Sequence, residues 1–153
     1  MARSAKVEEI EGLVGSVIGT SDWISVDQDR INIFADVTED HQFIHVNPDM
    51  AKMTPFGTTI AHGFLSLSLL SKFAEQGAMT IDGVAMGLNY GFDKVRFLSP
   101  VKVGSKVRGV FTLKNATEKN PGQHLLTYTV AVEIEGEEKP ALVADWLVMQ
   151  FVR

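Results

Sequence analysis

The spacing of hydrophobic residues changes near Gly77, and this change constrains the fold more than any other feature of the sequence. Before it, residues 60–76 are apolar nearly all round a helical projection, with only small serines interrupting, which predicts a buried helix capped by Gly77. After it come four apolar or alternating segments typical of strands: residues 86–92, 106–113, 125–134 and 141–152. The chain must therefore bury one helix against several long strands.

Long strands gathered after helices favour an α+β fold over alternating βαβ units. A shorter amphipathic helix is predicted over residues 27–38, with Asp27 as its N-cap. The polar turn 135–140 predicts an antiparallel hairpin. We expect one domain over residues 1–153, with one curved antiparallel sheet around one central buried helix. The exposed edges of such a sheet invite pairing with a second subunit.

Charge and cysteine content exclude several classes of function. The chain has no cysteine, which rules out thiolate catalysis and cysteine-ligated metal sites. Its 14 Lys and Arg against 19 Asp and Glu give a net charge of −5, which opposes binding to nucleic acid or to anionic membranes. The opening residues carry no apolar signal-like region, and no run of apolar residues is long enough to span a bilayer. We expect a cytoplasmic protein.

Polar and ionisable residues cluster in the segment 38–49, between the two predicted helices. Asp40 and His45 are five residues apart, so they can cooperate only if a turn folds the segment back. On local composition alone, Asp40 as a cap and His45 as a satisfied polar residue is the favoured interpretation. His41 and His45 have helical metal-ligand spacing, but Gln42 stands where a zinc peptidase needs Glu, so we expect no metal.

A second candidate feature is the segment 57–64, which leads into the buried helix. Backbone N–H groups in the first turn of a helix lack intrahelical partners, and Gly63 would let a ligand approach them closely. The segment could therefore stabilise an anion. Equally, Gly63 could serve helix packing while His62 fills a gap, and spacing does not separate the two interpretations. His124, in a polar stretch, is expected at the surface.

Three segments together resemble the MaoC-like branch of the hotdog-fold proteins, which includes (R)-specific enoyl-CoA hydratases and NodN-like proteins. These segments are Phe34 to His45, Pro55 to Gly63, and Lys94 to Val101. One departure is Gln42-Phe43, where the family usually has Asn-Pro. Since proline restricts itself and its preceding residue, we expect the loop to be held differently.

The resemblance implies a hotdog protomer, a homodimer with sites near the subunit interface, and Asp40 with His45 as catalytic dyad. The implied reaction adds water to a trans-2-enoyl-CoA thioester and yields the (3R)-hydroxyacyl product, with no cofactor beyond the coenzyme A of the substrate. The Gly63 amide is then the candidate oxyanion hole, and His62 and Ser66 are candidate substrate-binding residues.

Weaker candidates for the pocket wall are Asn89 and Tyr90. Coenzyme A phosphates would need a local basic patch, and the nearest cluster in the sequence is Lys94, Arg96, Lys102 and Lys106, although a solvated strand face explains these residues equally well. Two alternatives stay open: a hotdog thioesterase, and a non-catalytic module that binds acyl thioesters.

Overall fold

The computed structural model describes residues 3–153. Its amino-terminal elements are β1 (Arg3–Ala5), a 3₁₀ turn (Val7–Glu9), α1 (Ile10–Leu13), β2 (Val17–Thr20) and β3 (Ile24–Val26). The helices that follow are α2 (Gln28–Thr38), α3 (Phe43–Val46), α4 (Pro48–Ala51), α5 (Gly63–Ser68) and α6 (Leu70–Gly77). The remaining strands are β4 (Met79–Ile81), β5 (Val84–Phe97), β6 (Ser105–Asn120), β7 (Gln123–Ile134) and β8 (Leu142–Val152).

Six strands form one antiparallel sheet in the order β2, β6, β7, β8, β5, and β3 also pairs with β6. β1 and β4 form a separate parallel pair. The strands predicted after Gly77 are confirmed, and the polar turn 135–140 joins β7 to β8 in the expected antiparallel hairpin. Within residues 3–153, β5 pairs only with β8, so it forms one edge of the sheet.

The central helix consists of α5 and α6, which are separated only by Leu69. Helical hydrogen bonds run through this residue, since its N–H donates to Leu65 and its carbonyl accepts from Phe73. Leu65 and Phe73 belong to one core with the inward side chains of the sheet, among them the fully buried Phe111 and Tyr128. This is the predicted α+β arrangement of a sheet around a buried helix. Among the residues described, no helix has the length and apolarity needed to cross a membrane.

The boundaries of the central helix differ from the prediction at both ends. It begins at Gly63 and not at Ile60, because Ile60 forms a β-bridge with Lys102 and is therefore extended. Gly77 is its last residue and not its cap, a position that Ala78 takes. A Cβ atom at Gly77 would lie 2.4 Å from the Phe111 ring, so this glycine serves close packing of helix on sheet.

The prediction for Asp27 is confirmed, whereas the prediction for His124 is not. Asp27 caps α2 as predicted, since its carboxylate accepts a hydrogen bond of 2.8 Å from the Arg30 N–H. The prediction that His124 lies at the surface is wrong: it is 6% exposed, and its Nε2 lies 3.3 Å from the Glu118 carboxylate. His124 lies on β7 across a cavity from residues of α1, a segment distant in the sequence, and the polarity of its own segment does not reveal this neighbour.

Gly109 tests how tightly the helix packs on the sheet. A Cβ atom there would lie 2.9 Å from the Phe73 Cβ, so Gly109→Ala should destabilise the fold by about 1–3 kcal/mol through overpacking. Gly91→Ala is the matched control, because it also lies in a strand but has nothing within 4 Å. Urea denaturation of both variants measures the effect, and an equal loss in the two would contradict the packing argument.

Candidate active site

The segment that follows α2 folds back and brings Asp40 and His45 together. The chain reverses at Glu39, which has a left-handed φ of 62°. Short α3 then begins at Phe43 and buries His45, which is 7% exposed. Polar atoms of Asp40, His45 and His62 lie within 4.8 Å of one another. The structure therefore contains the turn that Asp40 and His45 need in order to cooperate.

The loop keeps the conformation that a proline would impose, although it has none. Gln42 has φ −57° and ψ 137°, the extended geometry favoured by a residue before proline. Phe43 is the first residue of α3, a position at which proline is well tolerated. The expectation that the loop is held differently stays a prediction: its backbone is compatible with proline at position 43, so contacts with other groups must hold it.

His45 has its tautomer determined by one hydrogen bond. Its Nδ1 lies 2.7 Å from the carbonyl oxygen of Ile60. Because a carbonyl can only accept, Nδ1 carries the proton and Nε2 keeps a free lone pair. Burial lowers the pKa of His45 below 6.5, the Ile60 carbonyl opposes that shift, and of the two nearby titratable groups His62 lowers the pKa while Asp40 raises it. The neutral, proton-accepting ring is thus favoured near neutral pH.

The Ile60 carbonyl is held by the segment 59–61, called here the strap. The Ile60 N–H donates to the carbonyl of Ile44 in α3 at 3.0 Å, while on the other side the Ala61 N–H donates to Val101 at 2.8 Å. The strap thus bonds α3 to the segment that leads into β6. His45 and its acceptor are therefore positioned by the same backbone bonds.

Gln28 holds the other side of His45, a role that the sequence does not predict. From the first turn of α2, its Nε2 donates to the His45 carbonyl at 2.8 Å. The buried hydroxyl of Thr59 donates to the Gln28 Oε1 at 2.5 Å, which fixes the amide orientation. No local signal marks these residues, because both act through contacts distant in the sequence.

Asp40 is exposed and is positioned through its backbone as well as its side chain. Its carboxylate accepts from the Gln42 N–H at 3.3 Å. Its carbonyl oxygen lies 2.9 Å from the Nε2 of His62. The carboxylate can therefore contact a bound molecule beside His45 while the backbone behind it is held.

A cavity of about 270 Å³ opens beside His45. Gly63 and Ser66 of α5 line it with His45, and Ser66 is buried. The Gly63 N–H, at the start of α5, donates to no protein acceptor in the described part of the chain. The rest of the wall is mostly apolar and includes Phe56, Ile60, Phe97, Leu98, Val101 and Ala141.

The other predicted site residues lie elsewhere. Asn89 and Tyr90 do not line this cavity: both are exposed on β5, at the sheet edge, where the pairing with β8 shifts register. His62 does not line it either, because it is 3% exposed and stacked against His45. The basic residues Lys94, Arg96, Lys102 and Lys106 are exposed, and Lys102 directly follows the lining residue Val101.

The two histidine rings suit proton transfer better than metal binding. Their centroids are 3.8 Å apart and their planes differ by 24°, so their in-plane lone pairs lie in two separate, nearly parallel planes, in which one ion could not lie simultaneously. Each ring also has one nitrogen bonded to a backbone carbonyl. His41 lies outside this group, since its Nε2 pairs with the exposed Asp36 at 2.9 Å.

Comparison with known proteins identifies one matching domain family and several relatives that cover most of this chain. The MaoC-like domain family matches residues 9–136. The chain is 52% identical to Nodulation protein N of Rhizobium leguminosarum over 145 residues, which cover 94% of this chain and 90% of the relative. It is 45% identical to 3-hydroxyacyl-thioester dehydratase Z of Mycobacterium tuberculosis over 142 residues, 93% of each chain. It is 34% identical to the (R)-specific enoyl-CoA hydratase of Rhodospirillum rubrum over 116 residues, 74% of this chain and 77% of the relative.

Among solved structures, the MaoC-like dehydratase from Rhodospirillum rubrum superimposes with a TM-score of 0.78 at 19% identity. The match covers 97% of this chain and 98% of the other. At this identity the likeness concerns the fold alone. The hotdog fold that the resemblance implied is thereby confirmed.

The lowered pKa of His45 predicts a pH dependence of stability. The unfolded chain, in which this ring titrates near 6.5, binds a proton before the folded chain does, so the free energy of unfolding should fall as pH drops below 6.5 and stop falling below the folded pKa. His45→Asn keeps a donor to the Ile60 carbonyl but cannot titrate, so its stability should fall less. Urea denaturation between about pH 8 and about pH 5 measures both. Identical pH dependence in the two proteins would contradict the assignment.

Proposed function

This chain belongs to the MaoC-like dehydratase family, and we propose that it reversibly hydrates a trans-2-enoyl-CoA to the (3R)-hydroxyacyl-CoA. One observation carries the proposal: His45, with a free Nε2, lies beside the Asp40 carboxylate at a cavity that Gly63 also lines. The activity for which the Mycobacterium tuberculosis relative is named, dehydration of a 3-hydroxyacyl thioester, is the reverse of the same reaction. The (3R) outcome is supported by the name of the Rhodospirillum rubrum relative.

In the proposed step, a water molecule lies between the Asp40 carboxylate and the His45 Nε2. His45 accepts a proton from the water as its oxygen bonds to C3 of the substrate. The electron pair of the C2–C3 double bond moves toward the thioester, so that negative charge develops on the thioester oxygen. The Asp40 and His45 dyad then delivers one proton to C2, which completes the addition of water and restores both groups.

The developing charge on the thioester oxygen requires a donor. Gly63 lines the cavity, its N–H donates to no acceptor among the described residues, and it lies at the amino end of the nearly continuous α5 and α6. A well-aimed donor of this kind stabilises such a transition state by about 3 kcal/mol. Ser66 would line the bound acyl group. No metal or organic cofactor enters this proposal, since proton transfer and the amide donor supply what hydration needs.

Coenzyme A would lie across the exposed mouth of the cavity, where the basic residues Arg96 and Lys102 are adjacent in sequence to the lining residues Phe97 and Val101. The enzyme is proposed to be a cytoplasmic protein of one domain over residues 1–153. Pairing of β1 with β4 supports the single domain, because it ties the amino-terminal end of the described chain to the segment after the central helix.

We propose a homodimer that forms at β5. This edge strand exposes an apolar row, and soluble monomers seldom expose such a patch on a sheet edge. The row consists of Met86, Leu88, Tyr90 and Phe92, all at least 40% exposed. If β5 pairs across the dimer, Asn89 and Tyr90 would lie at the interface.

The thioesterase alternative would use the same carboxylate to activate water against the thioester carbonyl. A thioesterase releases free thiol, whereas a hydratase does not. The binding-module alternative predicts no turnover at all, and ligand affinity that Asp40→Asn and His45→Gln leave nearly intact.

Variants of the dyad test the proposed chemistry. Asp40→Asn and His45→Gln should each lower kcat by about 100-fold to 10,000-fold, the usual contribution of general acid–base catalysis. The assay follows loss of enoyl absorbance with trans-2-butenoyl-CoA and trans-2-octenoyl-CoA, together with free thiol and product chirality. Asp49→Asn is the matched control, since that side chain is 95% exposed and carries the same chemical change. Full activity in either dyad variant would refute the assignment, and thiol release would indicate a thioesterase.

Substitution at the two sheet edges tests the dimer. Leu88→Lys, on β5, places a charge in the proposed interface and should weaken self-association at least about tenfold, which corresponds to about 1.4 kcal/mol. Val17→Lys, on β2 at the other edge, makes the same change at a residue that is 58% exposed and should leave association unchanged. Sedimentation equilibrium measures both. Dissociation by Val17→Lys alone would place the interface at β2 and would contradict the proposed interface at β5.

A further inference from the structure

His62 contacts both members of the proposed dyad. Its Nε2 lies 2.9 Å from the carbonyl oxygen of Asp40, and its ring stacks on the ring of His45 at a centroid distance of 3.8 Å. The ring of Phe34 in α2 packs against it at 5.0 Å. At 3% exposure, His62 is a buried side chain behind the dyad and not a residue of the cavity wall.

The protonation of the His62 ring follows from these contacts. A carbonyl only accepts hydrogen bonds, so Nε2 carries the proton and Nδ1 is an acceptor. Nδ1 is buried and has no partner among the described residues. A phenyl ring would fill the same space without leaving a buried acceptor unpaired. The N–H that imidazole offers to Asp40 therefore accounts for a polar side chain at this position.

We propose that His62 is a positioning residue that sets Asp40 and His45 relative to each other. Its hydrogen bond holds the backbone of Asp40 in the loop after α2, and its ring defines the plane in which His45 can lie. This inference rests on the proposed hydration chemistry for its catalytic consequence, but the contacts themselves do not. It replaces the expectation that His62 binds substrate.

The effect of His62 on the pKa of His45 makes the proximity of the two side chains measurable. The titratable groups that face His45 are Asp40, from the loop after α2, and His62, from the turn before α5. α2 itself presents only uncharged side chains to this pair, namely Phe34 and Gln28, and the strap presents backbone. Since His62 lowers the pKa of His45, removing its ring should raise that pKa.

Two variants separate the hydrogen bond from the stacking. His62→Phe keeps a ring but removes the donor, so Asp40 should shift while the cavity persists. We expect kcat to fall about 10-fold to 100-fold with KM within about twofold, as for a small misplacement of a reacting group. His62→Gln keeps an N–H donor but removes the ring, so the titration midpoint of His45 should move upward in NMR spectra.

Long-range ¹H–¹⁵N spectra of the wild-type protein supply a readout independent of activity. We expect the proton of His62 on Nε2 and that of His45 on Nδ1. A proton on Nδ1 of His62 would overturn the proposal. So would an unchanged His45 titration in His62→Gln together with kcat losses that only follow the folded fraction in both variants, because that pattern marks a purely structural residue.

His124→Gln is the control, because His124 is also buried but lines the cavity beside α1. It should change neither kcat nor the His45 titration. If the wild-type protein fails to hydrate any enoyl-CoA, the proposed function fails, while the tautomers and the His45 titration still decide whether His62 positions the pair.

Discussion

The hydrogen bond from the Nδ1 of His45 to the carbonyl of Ile60 determines what the site can do. It decides which nitrogen of the imidazole is free, and burial of the ring keeps that nitrogen unprotonated near neutral pH. The bond exists only because the strap is extended. If the central helix began at Ile60, that carbonyl would face along the helix axis and could not accept from His45.

The loop that carries the site has no proline of its own. At Gln42-Phe43, where the hydratase signature that it resembles has Asn-Pro, Gln42 has the dihedral angles of a residue before proline. Side chains from outside the loop supply the restraint. Gln28 bonds to the backbone of His45 from one side, and His62 bonds to the backbone of Asp40 from the other. The loop is therefore held by contacts with distant side chains. In a loop that contains proline, the pyrrolidine ring would itself restrict the backbone.

The sequence was most informative where a pattern lies within one element. The α2 cap, the four late strands and the β7–β8 hairpin follow from periodicity and turn chemistry, and the pairing of Asp40 with His45 followed from a family motif. Pairing between distant segments was beyond that kind of inference. The central helix begins later than predicted because Ile60 bridges to Lys102, and Tyr90 lies outside the cavity of this protomer because β5 is an edge strand, which nothing local marks. The partners of His62 and His124 likewise come from segments far away in the sequence.

The candidate catalytic groups and the sheet occupy different parts of the chain. Asp40, His45, Gly63 and Ser66 all fall between residues 40 and 66, whereas the long strands that cradle the central helix begin only at residue 84. The sheet side contributes only apolar and small wall residues to the cavity, such as Phe97 and Ala141. The candidate reacting groups and the shape of the pocket are thus encoded separately, so substitutions in the later segment can change which ligands fit the cavity while leaving Asp40 and His45 unchanged.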